Sequence, residues 1–178
     1  MKVIFLDVDG VLNCQEWFER TTGLSGHWDI DYTKVQRLKQ IVDATGAKIV
    51  LTSTWRCFEY RRENDEPMHP KYKYLVDSLA IYGMEIMDFV PLYSYIRPLE
   101  INEWLHDHAM EVESFVSLDD DFRPERYKEY GIEHCLVRTS FYGEIDPITG
   151  HMISRSGGGL QDHHVEKAIR ILNGGEIK

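Results

Sequence analysis

The chain has 178 residues, a formal net charge of −10, 43% hydrophobic and 28% charged residues. That length predicts one domain over residues 1–178 with a sizeable core. The acidic balance argues against a broad basic surface for duplex DNA or an anionic membrane. No apolar run reaches membrane length, the start "MKVIFLD" meets an aspartate too early for a leader, and no CxxC pair joins the 3 cysteines. A reduced, cytoplasmic setting is the expectation.

The first predicted element is "KVIFLD", a β-branched and aromatic apolar run that reads as a fully buried strand. It ends in Asp7-Val8-Asp9-Gly10. Residues 14–32 follow as a polar, aromatic stretch without clear periodicity. Val35, Leu38, Ile41 and Val42 then repeat at helical spacing over 33–45, with Gly46 as the stop. "KIVLTS" reads as the second strand and runs into Thr52-Ser53-Thr54-Trp55-Arg56. Residues 56–70 are charged and punctuated by proline.

Residues 70–82 form the next helical pattern, closed by Gly83, and "MEIMDFV" the third strand. Pro98 and Pro124 mark first helical turns. "SFVSLDD" is the fourth strand, ending in Asp119-Asp120-Asp121, and "HCLVRT" the fifth. Residues 160–173 form a last amphipathic helix through Val165, Ile169 and Leu172. Strands alternating with helices predict an α/β fold: a three-layer, Rossmann-like domain with a mainly parallel sheet.

In such a sheet the polar strand ends converge on the carboxyl edge, where ligands bind. The set comprises aspartates, hydroxyls and Arg97, which opens a helix. Clustered carboxylates need a cation, and hard oxygen ligands suit Mg2+. Hydroxyls, strand-end amides and an arginine suit phosphate oxygens. One carboxylate can attack phosphorus, and a second can protonate the leaving oxygen and then activate water. Gly10 lets the backbone bend beside the ligand.

These residues carry a resemblance. "DVDGV", "LTS", a basic residue before a later helix and "LDDD" resemble the four motifs of the haloacid dehalogenase-like (HAD) phosphohydrolases. "VLTSTWR", "RPLEINEWL", "FVSLDDD" and "GLQDHHVEKAIRILN" resemble, more narrowly, the small HAD domain of bacterial RNA-repair proteins. The resemblance implies strand order 5-4-1-2-3 with no large cap. It implies a phosphatase acting through an aspartyl-phosphate on Asp7, with Asp9 as general acid/base. Thr52 would hold the phosphoryl group, with Ser53 open as a sharer of that role. Arg97 would stand where the family more usually has lysine. Asp120 would bind the metal directly and Asp119 would support it, with Asp7 and Asp9 completing the set.

The implied substrate is a phosphorylated small molecule or a nucleic-acid end, with an RNA-repair partner in view. A receiver-like phosphotransfer protein and a catalytically idle phosphate- or partner-binding module are the rivals. Receivers place their acidic pair and their phosphorylated aspartate on different strands, unlike this chain.

Several features have two readings. Trp55 and Arg56 suit either substrate contact or packing, and Arg56 is counted with the substrate-binding residues. Arg61, Arg62 and "HPKYKY" at 69–74 could follow a nucleic-acid strand, but a solvated helix face is the expectation. His106 and His108, and His163 and His164, have metal-pair spacing only; on helices they point apart, so they are read as surface residues. Asp121 is read as a helix cap or turn, and "RSGGGL" as a flexible loop rather than a phosphate cradle.

Overall fold

The computed structural model describes residues 1–21, 30–60, 67–146 and 149–175. Strands β1 (Lys2–Leu6), β2 (Lys48–Leu51), β3 (Ile86–Phe89), β4 (Ser114–Asp119) and β5 (Leu136–Arg138) form one sheet. Its order is β3-β2-β1-β4-β5, and every pairing is parallel. The expected order 5-4-1-2-3 is the same sheet read from the other edge.

β1 is central, and its apolar run is explained by burial on both faces. Side chains alternate along a strand. Ile4 and Leu6 pack with Val35, Leu38 and Ile41 of α2 (Tyr32–Thr45), Leu75 and Leu79 of α4 (Pro70–Ala80), and Val165 and Ala168 of α7 (Asp162–Leu172). Val3 and Phe5 pack with Ile101 and Trp104 of α5 (Arg97–Asp107) and Tyr127 of α6 (Pro124–Lys128). The ring centroids of Phe5 and Trp104 lie 5.4 Å apart, edge to face. Two apolar faces on one strand give the three layers.

Local chemistry sets the helix ends. Asp31 caps α2 by accepting from Thr33 N at 2.9 Å, and Gly46 closes it at φ 69°. Pro70 opens α4 and Pro98 stands in the first turn of α5. Asp121 is not a helix cap: α6 begins at Pro124, with Arg123 in the cap position.

Four further expectations are corrected here, and one element, a hairpin, was not expected. The stretch from residue 14 is not wholly irregular, because α1 (Gln15–Thr21) forms within it. The charged segment after β2 opens with a 3-10 turn over Thr54–Arg56 and α3 (Cys57–Tyr60). Residues 22–29, and 61–66 with Arg61 and Arg62, lie outside the described residues. A short antiparallel hairpin, β6 (Glu144–Ile145) with β7 (Met152–Ser154), follows β5. Two- and three-residue strands are too short to show periodicity.

The third correction concerns "RSGGGL", which is packed rather than loose. Leu160 N donates to Val11 O at 2.8 Å, and a Cβ on Gly158 would sit 2.8 Å from the Cys14 Cβ. Glycine lets this segment close against the turn after β1. The fourth concerns the histidines. His108 stacks on Trp104 at 3.8 Å, and its Nδ1 meets Trp104 O at 2.8 Å. His164 Nδ1 accepts from Gln161 N at 3.0 Å at the start of α7, and burial pushes its pKa down to about 3. His106 and His163 are exposed, as expected. Among the described residues, no helix is long and apolar enough to cross a membrane. Cys14, Cys57 and Cys135 are free thiols.

Candidate active site

The parallel ladder continues one residue past the strands. Asp7 N donates to Leu118 O at 3.1 Å, Thr52 N to Leu6 O at 2.9 Å, and Thr139 N to Asp119 O at 3.0 Å. This register aligns Asp7, Thr52, Asp119 and Thr139 along the carboxyl edge of the sheet. Residues more than a hundred positions apart become neighbours for that reason alone.

Asp7, Asp119 and Asp120 each offer a carboxylate oxygen within 4.8 Å of the others. Arg97, the first residue of α5, enters from the adjoining loop. Its Nη1 lies 2.6 Å from Asp7 Oδ2 and 2.5 Å from Asp119 Oδ1. All three side chains of this bridge are at least nine-tenths buried. Asp119 is further held by Tyr127 OH at 2.6 Å and by the backbone amides of Asp121 at 2.9 Å and Phe122 at 3.3 Å. Asp7 accepts from Val8 N at 2.8 Å.

The electrostatics follow from burial in a crowd of like charge. Burial raises the Asp7 carboxyl, with Asp119 adding to it and Arg97 opposing, to about 6. Burial, with Asp7 and Asp119 beside it, raises Asp120 to about 8. Burial works against the charge of Arg97, but Asp7 and Asp119 outweigh it and hold the guanidinium protonated. Negative charge is in excess here.

The turn after β1 is shaped around Asp120. Gly10 has φ 70°, and a Cβ on it would lie 2.1 Å from Asp120 Cγ. Thr139 Oγ1 donates to Gly10 O at 2.6 Å and pins the turn. Asp9 stands outside the three-carboxylate cluster. Its Oδ1 accepts from Asn13 Nδ2 and its Oδ2 from Trp55 Nε1, each at 2.9 Å. Thr52 Oγ1 is buried with no hydrogen-bond partner. The Ser53 hydroxyl instead accepts from Trp55 N at 3.4 Å. The free hydroxyl of the pair is therefore Thr52.

Arg56 departs from the expected set. Its Nε donates to Val90 O at 3.2 Å, and its Nη1 to Thr52 O and to Ser53 O, the latter at 2.9 Å. Its Nη2 reaches Pro91 O at 3.3 Å and Glu100 Oε2 at 2.7 Å. A guanidinium has five N–H donors, and here the protein engages them all. Arg56 is thus removed from the substrate-binding residues; it fastens the segment after β2 to the loop after β3. Burial lowers its pKa, with Glu100 opposing. Glu100 Oε1 gathers the amides of Tyr93, Ser94 and Tyr95 at 3.1–3.3 Å.

Sequence reasoning did not find Asn13, Tyr127, Glu100 or Thr139. Asn13 had a signal, because it closes the same "DVDGVLN" run. Tyr127 had none: it reaches Asp119 only because α6 folds back across β4.

The geometry thus joins three clustered carboxylates, a fixed guanidinium and an unpartnered hydroxyl. A family profile described as the HAD domain in Swiss Army Knife RNA repair proteins matches residues 3–143. The chain belongs to this family. Searches of curated proteins and of solved structures give no match. As a HAD domain, the chain falls within a phosphohydrolase superfamily. The matched span contains all the residues of the carboxyl-edge site. It stops before α7, which nevertheless completes the core against α2.

Proposed function

We propose that this HAD domain is a Mg2+-dependent phosphomonoester hydrolase acting through an aspartyl-phosphate on Asp7. The carrying observation is the meeting of Asp7, Asp119 and Asp120 within 4.8 Å beside Arg97. The donor set fits a hard divalent cation, since three carboxylates exceed the one guanidinium that compensates them. Asp7, Asp120 and the Asp9 main-chain carbonyl are the candidate ligands. Asp119, already held by Tyr127 and two amides, orients them. Bound there, Mg2+ would offset charge on the transferring phosphoryl group.

The chain's own residues supply the steps. Asp7 Oδ attacks phosphorus while protonated Asp9 gives its proton to the departing ester oxygen. The alcohol leaves, and Asp9 becomes a carboxylate. Water then attacks the aspartyl-phosphate and gives a proton back to Asp9. Inorganic phosphate leaves and the Asp7 carboxylate returns. Thr52 Oγ1 is the free donor for a phosphoryl oxygen, and Arg97 counters charge at Asp7.

The family description favours a nucleotide or polynucleotide end as substrate. An RNA-repair partner and a cytoplasmic location accord with that reading. Phosphate release from nucleotides, 3′- and 5′-phosphorylated oligonucleotides and small phosphomonoesters tests it. Wild type should release phosphate with Mg2+, and release should vanish with chelator or in Asp7→Asn. No release from any ester, with Mg2+ shown to bind, would refute the hydrolase.

A further inference from the structure

Asp9 is held at both oxygens, and its two partners are themselves immobilised. Asn13 is fully buried, and its Oδ1 accepts from Gly10 N at 3.0 Å. That bond turns the amide so that Nδ2 faces Asp9. Val11 N and Leu12 N both donate to Val8 O, at 3.2 and 2.8 Å, and close the turn that carries Asn13. Trp55 is also fully buried. The Lys71 ammonium from the first turn of α4 sits over its ring, 4.2 Å from the centroid. The 3-10 turn that carries Trp55 is the one Arg56 fastens through Thr52 O and Ser53 O.

A tryptophan at the core of an α/β domain needs only an apolar pocket and some acceptor for its N–H. Here the acceptor is the second aspartate of the first motif. The indole is a donor only, and the amide end facing Asp9 is a donor only. Neither competes for the proton that Asp9 must carry. A carboxylate offers about four lone-pair sites, so each oxygen keeps one free.

We propose that Trp55 and Asn13 are positioning residues for general acid/base catalysis by Asp9. This rests on the hydrolase reading above. They hold the Asp9 carboxyl where it can give its proton to the ester oxygen as the P–O bond breaks, and take one from water in the second step. Rigid placement matters because proton transfer needs hydrogen-bond reach to the reacting oxygen. The arrangement suits poor leaving groups, such as the hydroxyl of a sugar, which must be protonated as they depart. A good leaving group such as 4-nitrophenolate departs without that help.

The test is leaving-group dependence. Trp55→Phe keeps an aromatic six-membered ring and removes the N–H together with the pyrrole part of the indole. Its kcat on an alkyl phosphate, such as a nucleoside monophosphate, should fall by about 10- to 100-fold, a part of what a general acid contributes. Its kcat on 4-nitrophenyl phosphate should fall less than about 3-fold, with KM for both nearly unchanged, since the loss concerns proton transfer alone. In an Asp9→Ala background, Trp55→Phe should cause no further loss. Asn13→Ala should show the same selectivity, and thermal melts show whether either variant stays folded. Equal losses on both esters, or a further loss without Asp9, would reduce Trp55 to a packing residue and overturn the proposal. Wild type that, with Mg2+ shown to bind, releases phosphate from neither ester nor from 3′- or 5′-phosphorylated oligonucleotides overturns the hydrolase reading, and this inference with it.

Discussion

Arg56 and Arg97 are both buried guanidiniums set against carboxylates, yet their surroundings are opposite. Arg56 meets one carboxylate, Glu100, and four backbone carbonyls, and no donor is left over. Arg97 meets Asp7 and Asp119 with Asp120 close by, and its Nε has no acceptor. One site is balanced in charge and hydrogen bonds. The other is left acidic and incomplete. A balanced buried pair fastens two loops; an unbalanced one costs stability unless something else binds. That difference separates a structural lock from the proposed reaction centre within one sheet edge.

The largest expected effect tests the lock. Arg56→Ala leaves Glu100 buried without its partner and should cost about 3–5 kcal/mol, read from urea midpoints. Arg56→Lys should not restore it, because one ammonium cannot reach all five acceptors. A cost below about 1 kcal/mol would break the contrast.

The next effect tests the centre. Arg97→Met should stay folded but lower phosphate release by about 10²–10³-fold, as expected for loss of a fixed charge facing the phosphoryl group. Mg2+ should raise the melting temperature of this variant more than that of wild type, since acid is then less compensated. A variant that unfolds as Arg56→Ala does would make the two arginines alike.

Charge imbalance also predicts a pH dependence of stability. Asp7 and Asp120 rise from 3.8 to about 6 and about 8. Between the unfolded and folded values, the folded chain holds protons that the unfolded chain has released. The contribution is therefore complete below about pH 4 and is lost as pH rises through 6 and then 8. Metal-free protein in chelator should lose stability steadily from pH 5 to pH 8 on this account, read from urea midpoints. Saturating Mg2+ should flatten that slope. A slope of the opposite sign, surviving in Asp120→Asn, would remove the cluster as its source.

The smallest effect concerns the turn. Gly10→Ala should cost about 1–2 kcal/mol for its left-handed backbone, and it should weaken Mg2+ binding because the new Cβ meets Asp120. Calorimetric titration reads the second effect directly.

Much of this was legible because parallel sheets place motif residues at strand ends. Asp7, Thr52, Asp119 and Asp120 each follow an apolar run whose burial on two faces leaves little choice of structure. Arg97 was legible through Pro98, which marks the helix start. Arg56 was misread because side-chain reach is invisible in a linear pattern: "TSTWR" places it beside the phosphate motif, but the guanidinium turns to the loop after β3. The hairpin and the packed glycines were missed because neither carries periodicity.

The sequence by itself determined the order of the five sheet strands and the longer helices between them, and with it the convergence of acidic strand ends on one edge. Period-two and helical patterns of apolar residues are local and survive translation into a string. Only the tertiary structure decided which hydroxyl stays free, which arginine faces the acids, and which donors hold Asp9. Those depend on where side chains from distant segments end, and that is set by ladder register and by the packing of α5, α6 and the turn after β2.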